Sequence, residues 1–192
     1  MTLIELATKA KEAKYTVALL PTDVKNNAIS AVADALEANS SGIIKANSID
    51  MENGEKKGLS SGLLDRLKLD EGRIASMAEG LRQVVALDDP IGKITEEWER
   101  PNGLKIAKRL VPIGVVGVIY EARPNVTADV FGLCFKTGNS VILKGGSDAL
   151  ESNKAIVNVI KAALEKENVP VDAITLIEDT TRESTNQLMR MN

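Results

Sequence analysis

Three consecutive stretches decide the fold: Val115-Val116-Gly117-Val118-Ile119-Tyr120, then Thr127 to Lys136, then Ser140-Val141-Ile142-Leu143. The first is a nearly continuous β-branched run, the pattern of a strand covered on both faces. The second has helical spacing and is closed by Thr137-Gly138-Asn139. The third is again a short apolar run. Downstream, Asp148 to Glu167 reads as an amphipathic helix with Ala155, Ile156, Val159, Ile160 and Ala163 on one face. Ile174 to Ile177 reads as a third strand, and Arg182 to Met189 begins a third helix. Strands alternating with helices imply a parallel sheet layered with helices, an α/β fold. Only three such strands occur before Asn192, so the pattern is that of the first half of a doubly wound sheet. The edge after the third strand is expected to be unpaired, which predicts self-association.

Upstream, the first 90 residues read as helices. Leu3, Leu6, Ala10, Ala13 and Val17 recur at helical spacing. A second helix starts after Pro21, with Thr22 or Asp23 as its cap, and passes Val32 and Leu36. Gly42 to Lys57 reads as a short helix ending in a glycine-bearing loop, and Gly58 to Leu69 as two turns. Asp70 caps a further helix through Ile74, Met77, Leu81 and Val85, which Pro90 ends. Then the period changes. Gly92 to Arg100 and Leu104 to Val111 flank Pro101-Asn102-Gly103, a hairpin turn. Glu96, Glu97 and Glu99 on one strand face Lys105, Lys108 and Arg109 on the other, which favours antiparallel pairing. The ribbon is either a solvated surface feature or an arm that reaches a partner subunit.

Composition narrows the function. Aromatics are 3% of 192 residues, so the core must be aliphatic. Lys and Arg number 24 against 27 Asp and Glu, a net charge of −3, which gives no basic footprint for nucleic acid. There is no histidine, which removes the commonest general base and zinc ligand, and no metal site is expected. The single cysteine, Cys134, permits no internal disulfide. The longest apolar run, Val111 to Tyr120, is about half the roughly 20 residues that a membrane helix needs. With no signal-peptide core either, the expected location is the cytoplasm.

Open α/β sheets bind ligands where strands end and helices begin. Two such junctions stand out: Glu121-Ala122-Arg123-Pro124-Asn125-Val126-Thr127 and Lys144-Gly145-Gly146-Ser147-Asp148. The second combines a strand-end lysine, two glycines that let the backbone approach a ligand, and donors at a helix start. That suits an anion such as phosphate, although a plain Gly-Gly turn has the same composition. Neither the G-x-G-x-x-G fingerprint nor a P-loop is present. Lys144 with Ser147 favours NADPH over NADH, because a serine can donate to a 2′-phosphate that a carboxylate there would repel. Ser147 is equally suited to cap a helix. Cys134, amid Phe131-Gly132-Leu133 and Phe135, reads as a buried structural cysteine rather than a nucleophile.

Val111-Pro112-Ile113-Gly114 and the run from Val115 to Thr127 together resemble the signature of glutamyl phosphate reductases, a branch of the aldehyde dehydrogenase superfamily. The match extends through Gly138-Asn139-Ser140 to Ser147, and backwards through Gly58-Leu59-Ser60, Leu64-Asp65-Arg66-Leu67, Gly80 to Val84, Trp98 and Arg100-Pro101-Asn102-Gly103. Tyr120-Glu121-Ala122-Arg123-Pro124-Asn125 is the specific element. The resemblance implies reduction of L-glutamyl 5-phosphate by NADPH to glutamate 5-semialdehyde, with phosphate release, in proline synthesis. In that chemistry a cysteine thiolate displaces phosphate and hydride resolves the thioester.

By the same resemblance, Asn125 is the oxyanion donor and Lys144, Gly145, Gly146 and Ser147 hold the cofactor. Arg123 is a candidate for the substrate carboxylate or phosphate, or for a salt bridge to Glu121. The nucleophilic cysteine is expected beyond the stretch this chain resembles, so the chain looks like an N-terminal part only. The expected organisation is 1–90, the helical part of the cofactor domain; 91–110, an oligomerisation arm; and 111–192, an incomplete Rossmann-like NADPH-binding region. A homo-oligomer is expected for the intact protein. No kinase module is expected ahead of residue 1, so the resemblance is to the monofunctional bacterial type. The competing reading is a non-catalytic remnant that binds nucleotide or partner subunits only.

Overall fold

The computed structural model describes residues 2–191. Five helices come first: α1 (Leu3–Val17), α2 (Thr22–Ala38), α3 (Ser40–Lys56), α4 (Ser61–Leu67) and α5 (Glu71–Ala86). An antiparallel ribbon follows, β1 (Ile94–Glu99) with β2 (Lys105–Arg109). The remainder alternates β3 (Val115–Ile119), α6 (Asn125–Lys136), β4 (Ser140–Lys144), α7 (Leu150–Lys166), β5 (Ile174–Leu176) and α8 (Arg182–Met189). Strands β3, β4 and β5 form a parallel sheet in that order.

β4 is central, and all five of its residues are buried. Side chains alternate across a strand, so Val141 and Leu143 enter the main core with Phe131, Phe135, Ile156 and Ile160. Ile142 points the other way and joins Ala10, Ile177 and Leu188. Helices α6 and α7 therefore cover one face, and α1 and α8 the other. The sequence pattern of doubly covered strands is borne out at β4 and β5, whereas β3, read in the same way, has no buried residue. Helices α2 and α5 form an outer layer on α6 and α7, and their apolar residues are continuous with the sheet's core.

Several local expectations are corrected. The helix expected over 42–57 starts earlier, at Ser40, and runs through Gly54 to Lys56 without a loop. A Cβ on Gly54 would lie 3.0 Å from Leu59 and 3.1 Å from Leu64, so this glycine is a packing choice that overrides its poor helix propensity. The region expected as two turns contains α4, whose Leu67 is buried. Neither Thr22 nor Asp23 caps α2; Pro21 occupies the cap, and the Thr22 hydroxyl donates to Asp89 at 2.7 Å instead. Asp70 does cap α5, accepting from the Arg73 amide at 2.9 Å.

The ribbon turns as expected. Gly103 has φ +82, which only glycine adopts freely, and the Asn102 side chain accepts from the Leu104 amide. Glu96 and Lys108 pair across it at 2.8 Å. Neither strand packs extensively on another element. Among the described residues β5 pairs only with β4, so the edge after the third strand is unpaired, as expected, and β3 is the sheet's other edge. β5 is only three residues long and is buried beneath α1 and α7, whereas Ile119 of β3 is 48% exposed.

Candidate functional site

β3 and β4 end side by side. Ile119 lies opposite Lys144, and the Tyr120 amide donates to the Lys144 carbonyl at 3.1 Å. Both strand-end loops therefore open at one edge of the sheet, where α/β folds bind ligands. The loops also approach each other: a Cβ on Gly146 would lie 3.8 Å from the Glu121 backbone.

The first loop leads into α6, whose opening residue is Asn125. Asn125 and Arg123 line a cleft of about 380 Å³ with Arg66, Arg73 and Asp129. The exposed Asn125 amide donates one N–H to Asp129, one turn along the helix, at 3.2 Å. An asparagine amide carries two N–H groups, so the second remains free for a ligand. Burial pushes the Asp129 carboxyl up, partly offset by that hydrogen bond. The salt bridge considered between Arg123 and Glu121 does not form. Among the described residues the Arg123 guanidinium pairs with no carboxylate, and the two residues meet only through the Arg123 amide and Glu121 carbonyl at 2.8 Å.

Behind this loop lies a hydrogen-bonded chain. The Tyr120 hydroxyl meets Thr127 Oγ1 at 2.7 Å, and Thr127 donates to Asn153 Oδ1 at 2.9 Å. Burial pushes the Tyr120 phenol up to about 12, so it stays protonated. The chain fixes α6 to α7 directly beneath the second loop. It also explains Gly145: a Cβ there would sit 2.5 Å from Asn153 Nδ2 and 3.6 Å from the Tyr120 ring. Gly146, by contrast, has only ordinary contacts around it. The pair was expected to serve close ligand approach. Gly145 is required by packing as well. Gly145→Ala is therefore expected to destabilise by about 1–3 kcal/mol, and Gly146→Ala by less than about 0.5 kcal/mol, in urea unfolding.

Lys144 is buried, and its ammonium donates to the Gly145 carbonyl at 3.3 Å. Burial pulls its pKa down, opposed by the charge of Asp179. Asp179 follows β5 and was not anticipated. Its carboxylate is held below the ordinary range first by the Thr181 amide and hydroxyl, and further by Lys144. The available signal was Asp179-Thr180-Thr181 placed just before a helix, a capping pattern at a strand end.

Ser147 is exposed at the head of a 3₁₀ turn and caps no helix. Its hydroxyl reaches only Asp148, at 3.4 Å, and Asp148 is paired with Lys57 at 2.7 Å. The start of α7 is instead served by Asp50, from α3. Its carboxylate accepts from the Ser152 amide at 2.7 Å, the Ser152 hydroxyl at 2.6 Å and the Glu151 amide at 3.2 Å. A cap supplied from about a hundred residues away leaves no local signal, and it leaves the Ser147 hydroxyl uncommitted. Cys134 lies half-buried against the main core, and burial pushes its thiol up, away from the reactive thiolate.

No protein-family model matches the chain. Individual relatives match strongly. The chain is 53% identical over 190 residues to gamma-glutamyl phosphate reductase of Clostridium novyi, covering 99% of itself and 46% of that protein. It is 55% identical over 184 residues to the enzyme of Heliobacterium modesticaldum, covering 44% of it. The crystal structure of gamma-glutamyl phosphate reductase from Thermotoga maritima superposes with a TM-score of 0.97 at 41% identity, over 98% of this chain and 46% of that one. The Saccharomyces cerevisiae enzyme gives 0.87 at 30% identity, over 98% and 49%. A propionaldehyde dehydrogenase from Rhodopseudomonas palustris gives 0.69 at 18% identity over 99% and 40%, which establishes a shared fold alone. The chain thus spans slightly less than half the length of the relatives it matches. It is a homologue of the gamma-glutamyl phosphate reductases, matching that portion of them in sequence and in aldehyde dehydrogenase-like fold.

Proposed function

We propose that the chain forms the NADPH grip and the oxyanion donor of a reductase that converts L-glutamyl 5-phosphate to L-glutamate 5-semialdehyde in proline biosynthesis, releasing phosphate. One observation carries this reading: β3 and β4 end together, so the loop with Asn125 and the loop with Lys144 and Ser147 share one edge. A donor for a reacting carbonyl and a grip for a phosphorylated ribose are thereby adjacent. The residues fit the cofactor. Lys144 offers a cation engaged only by a carbonyl, and Ser147 offers an exposed hydroxyl with no firm partner.

When bound, NADPH supplies the hydride. Lys144 and Ser147 hold its adenine ribose and 2′-phosphate, with Gly145 and Gly146 forming the turn between them. The free N–H of Asn125 points at the carbonyl oxygen as negative charge develops there. The nucleophile is assigned to the portion of the relatives that this chain does not match, because Cys134 is held as a core thiol. The same disposition favours a second reading, in which the chain alone binds nucleotide but does not turn over. The exposed ribbon is the surface through which a homo-oligomer would form, and the cytoplasm is the expected setting.

Ser147→Glu tests the cofactor assignment. A carboxylate would repel the 2′-phosphate and accept from a ribose hydroxyl. NADPH affinity is expected to fall at least about tenfold, the effect of 1.4 kcal/mol, with NADH binding kept or improved. An unchanged ratio of the two affinities removes Ser147 from the site.

A further inference from the structure

We propose that the cleft beside Asn125 binds the α-amino-acid head of the substrate, Asp129 taking the ammonium while Arg66 and Arg123 take the α-carboxylate. The inference rests on the reductase reading, and it assigns a side of the site that the cofactor residues do not touch.

The cleft, about 380 Å³, holds both signs of charge in an unpaired state. Among the described residues, neither Arg66, Lys68 nor Arg123 pairs with a carboxylate. Arg73 is spent: it binds the Asp65 carboxylate at 2.7 Å, the Asp65 carbonyl, and the Lys68 carbonyl at 2.9 Å. Asp129 is half-buried, and its one partner is the neutral Asn125 amide. A partly desolvated carboxylate without a cation beside uncommitted guanidiniums is costly to keep. A zwitterion satisfies both. A guanidinium grips a carboxylate with two parallel N–H groups, and an ammonium relieves Asp129. A phosphate dianion would satisfy the arginines but meet Asp129 with repulsion.

The spacing agrees. In a glutamyl group the ammonium nitrogen and the reacting carbonyl oxygen are five bonds apart, about 5–6 Å when extended. Asp129 Oδ2 and Asn125 Nδ2 are 3.2 Å apart. Hydrogen bonds of about 2.9 Å from each therefore span one ligand, ammonium at Asp129 and carbonyl oxygen at Asn125. Asp129 thus acts twice, as a ligand group and as the residue that holds the Asn125 amide in place.

The test is calorimetric titration of the chain with L-glutamate and with glutarate, which has both carboxylates but no ammonium. L-glutamate is expected to bind at least tenfold more tightly. Asp129→Asn, which keeps the shape and removes the charge, should bring that ratio near one, and Arg66→Gln, at an exposed position, should weaken both ligands. If Asp129→Asn does not fold, Asp129→Glu should keep the preference. Equal binding of the two ligands, a preference that survives Asp129→Asn, displacement of L-glutamate by inorganic phosphate, or no L-glutamate binding overturns the proposal. A parallel NADPH titration separates the two claims. Lys144-dependent NADPH binding with no preference for L-glutamate sinks the amino-acid subsite alone. An intact preference without NADPH binding supports the subsite and sinks the cofactor assignment.

Discussion

Replacing Lys25 with methionine is expected to destabilise the fold by about 3–5 kcal/mol, read as a lower midpoint in urea at neutral pH. Lys25 is 2% exposed, and its ammonium lies 2.5 Å from Asp89 Oδ2. Asp89 also accepts from the Thr22 hydroxyl at 2.7 Å and the Ile91 amide at 2.9 Å. Next to it, Lys136 donates to Asn26 at 2.6 Å and to the Val85 carbonyl at 2.9 Å. These bonds tie α2, the end of α5 and α6 together. Burial pushes the Asp89 carboxyl up, but the bonds from Lys25, Ile91 and Thr22 outweigh it and hold it below the ordinary range. A depressed carboxyl contributes stability above its unfolded value, near about 4, and loses it as pH falls through the folded value. The penalty of Lys25→Met should therefore shrink on acidification below about pH 4, because the orphaned carboxylate can take a proton. Adding Asp89→Leu should recover much of the loss at neutral pH. A penalty under about 1 kcal/mol would mean that this pair is screened by water.

Lys144→Ala is expected to weaken NADPH binding by roughly 10- to 100-fold, the effect of losing a charged hydrogen bond of about 1.5–3 kcal/mol. Its effect on stability should be small, because the ammonium has one carbonyl partner and burial disfavours its charge. Those two readouts together separate a ligand-binding lysine from a structural one. The lowered pKa adds a sign: Lys144 loses its charge at a lower pH than an ordinary lysine. Lys144-dependent NADPH binding should accordingly fade on the alkaline side before the usual lysine value of about 10.4. Fluorescence titration of the wild type and the variant between neutral and alkaline pH checks both points.

The sheet was legible because short apolar runs such as Ser140 to Leu143 alternate with helical periods, the pattern of a parallel sheet layered with helices. The ribbon was legible because Pro101-Asn102-Gly103 is turn chemistry flanked by opposite charges. What escaped the sequence depends on distant partners. Asp50 caps α7 from α3, and this displaces Ser147 from the capping role its position suggested. Gly54 is helical because Leu59 and Leu64 press on it, and Gly145 is small because of Asn153. Thr22 turns to Asp89 rather than to its own helix. At the site, the resemblance pointed to Asn125 and Lys144, and the structure brings their loops together. Arg66 lay in the matched Leu64-Asp65-Arg66-Leu67 with no role attached to it, Asp179 showed only a capping pattern, and helical spacing from Asn125 was the one available clue to Asp129.

The central claim is that the joined ends of β3 and β4 form an NADPH site. The most direct measurement is fluorescence titration of the purified chain with NADPH and, separately, with NADH. Saturable binding that prefers NADPH is the result this account predicts. Equal affinity for the two cofactors, or no saturable binding of either, would contradict it.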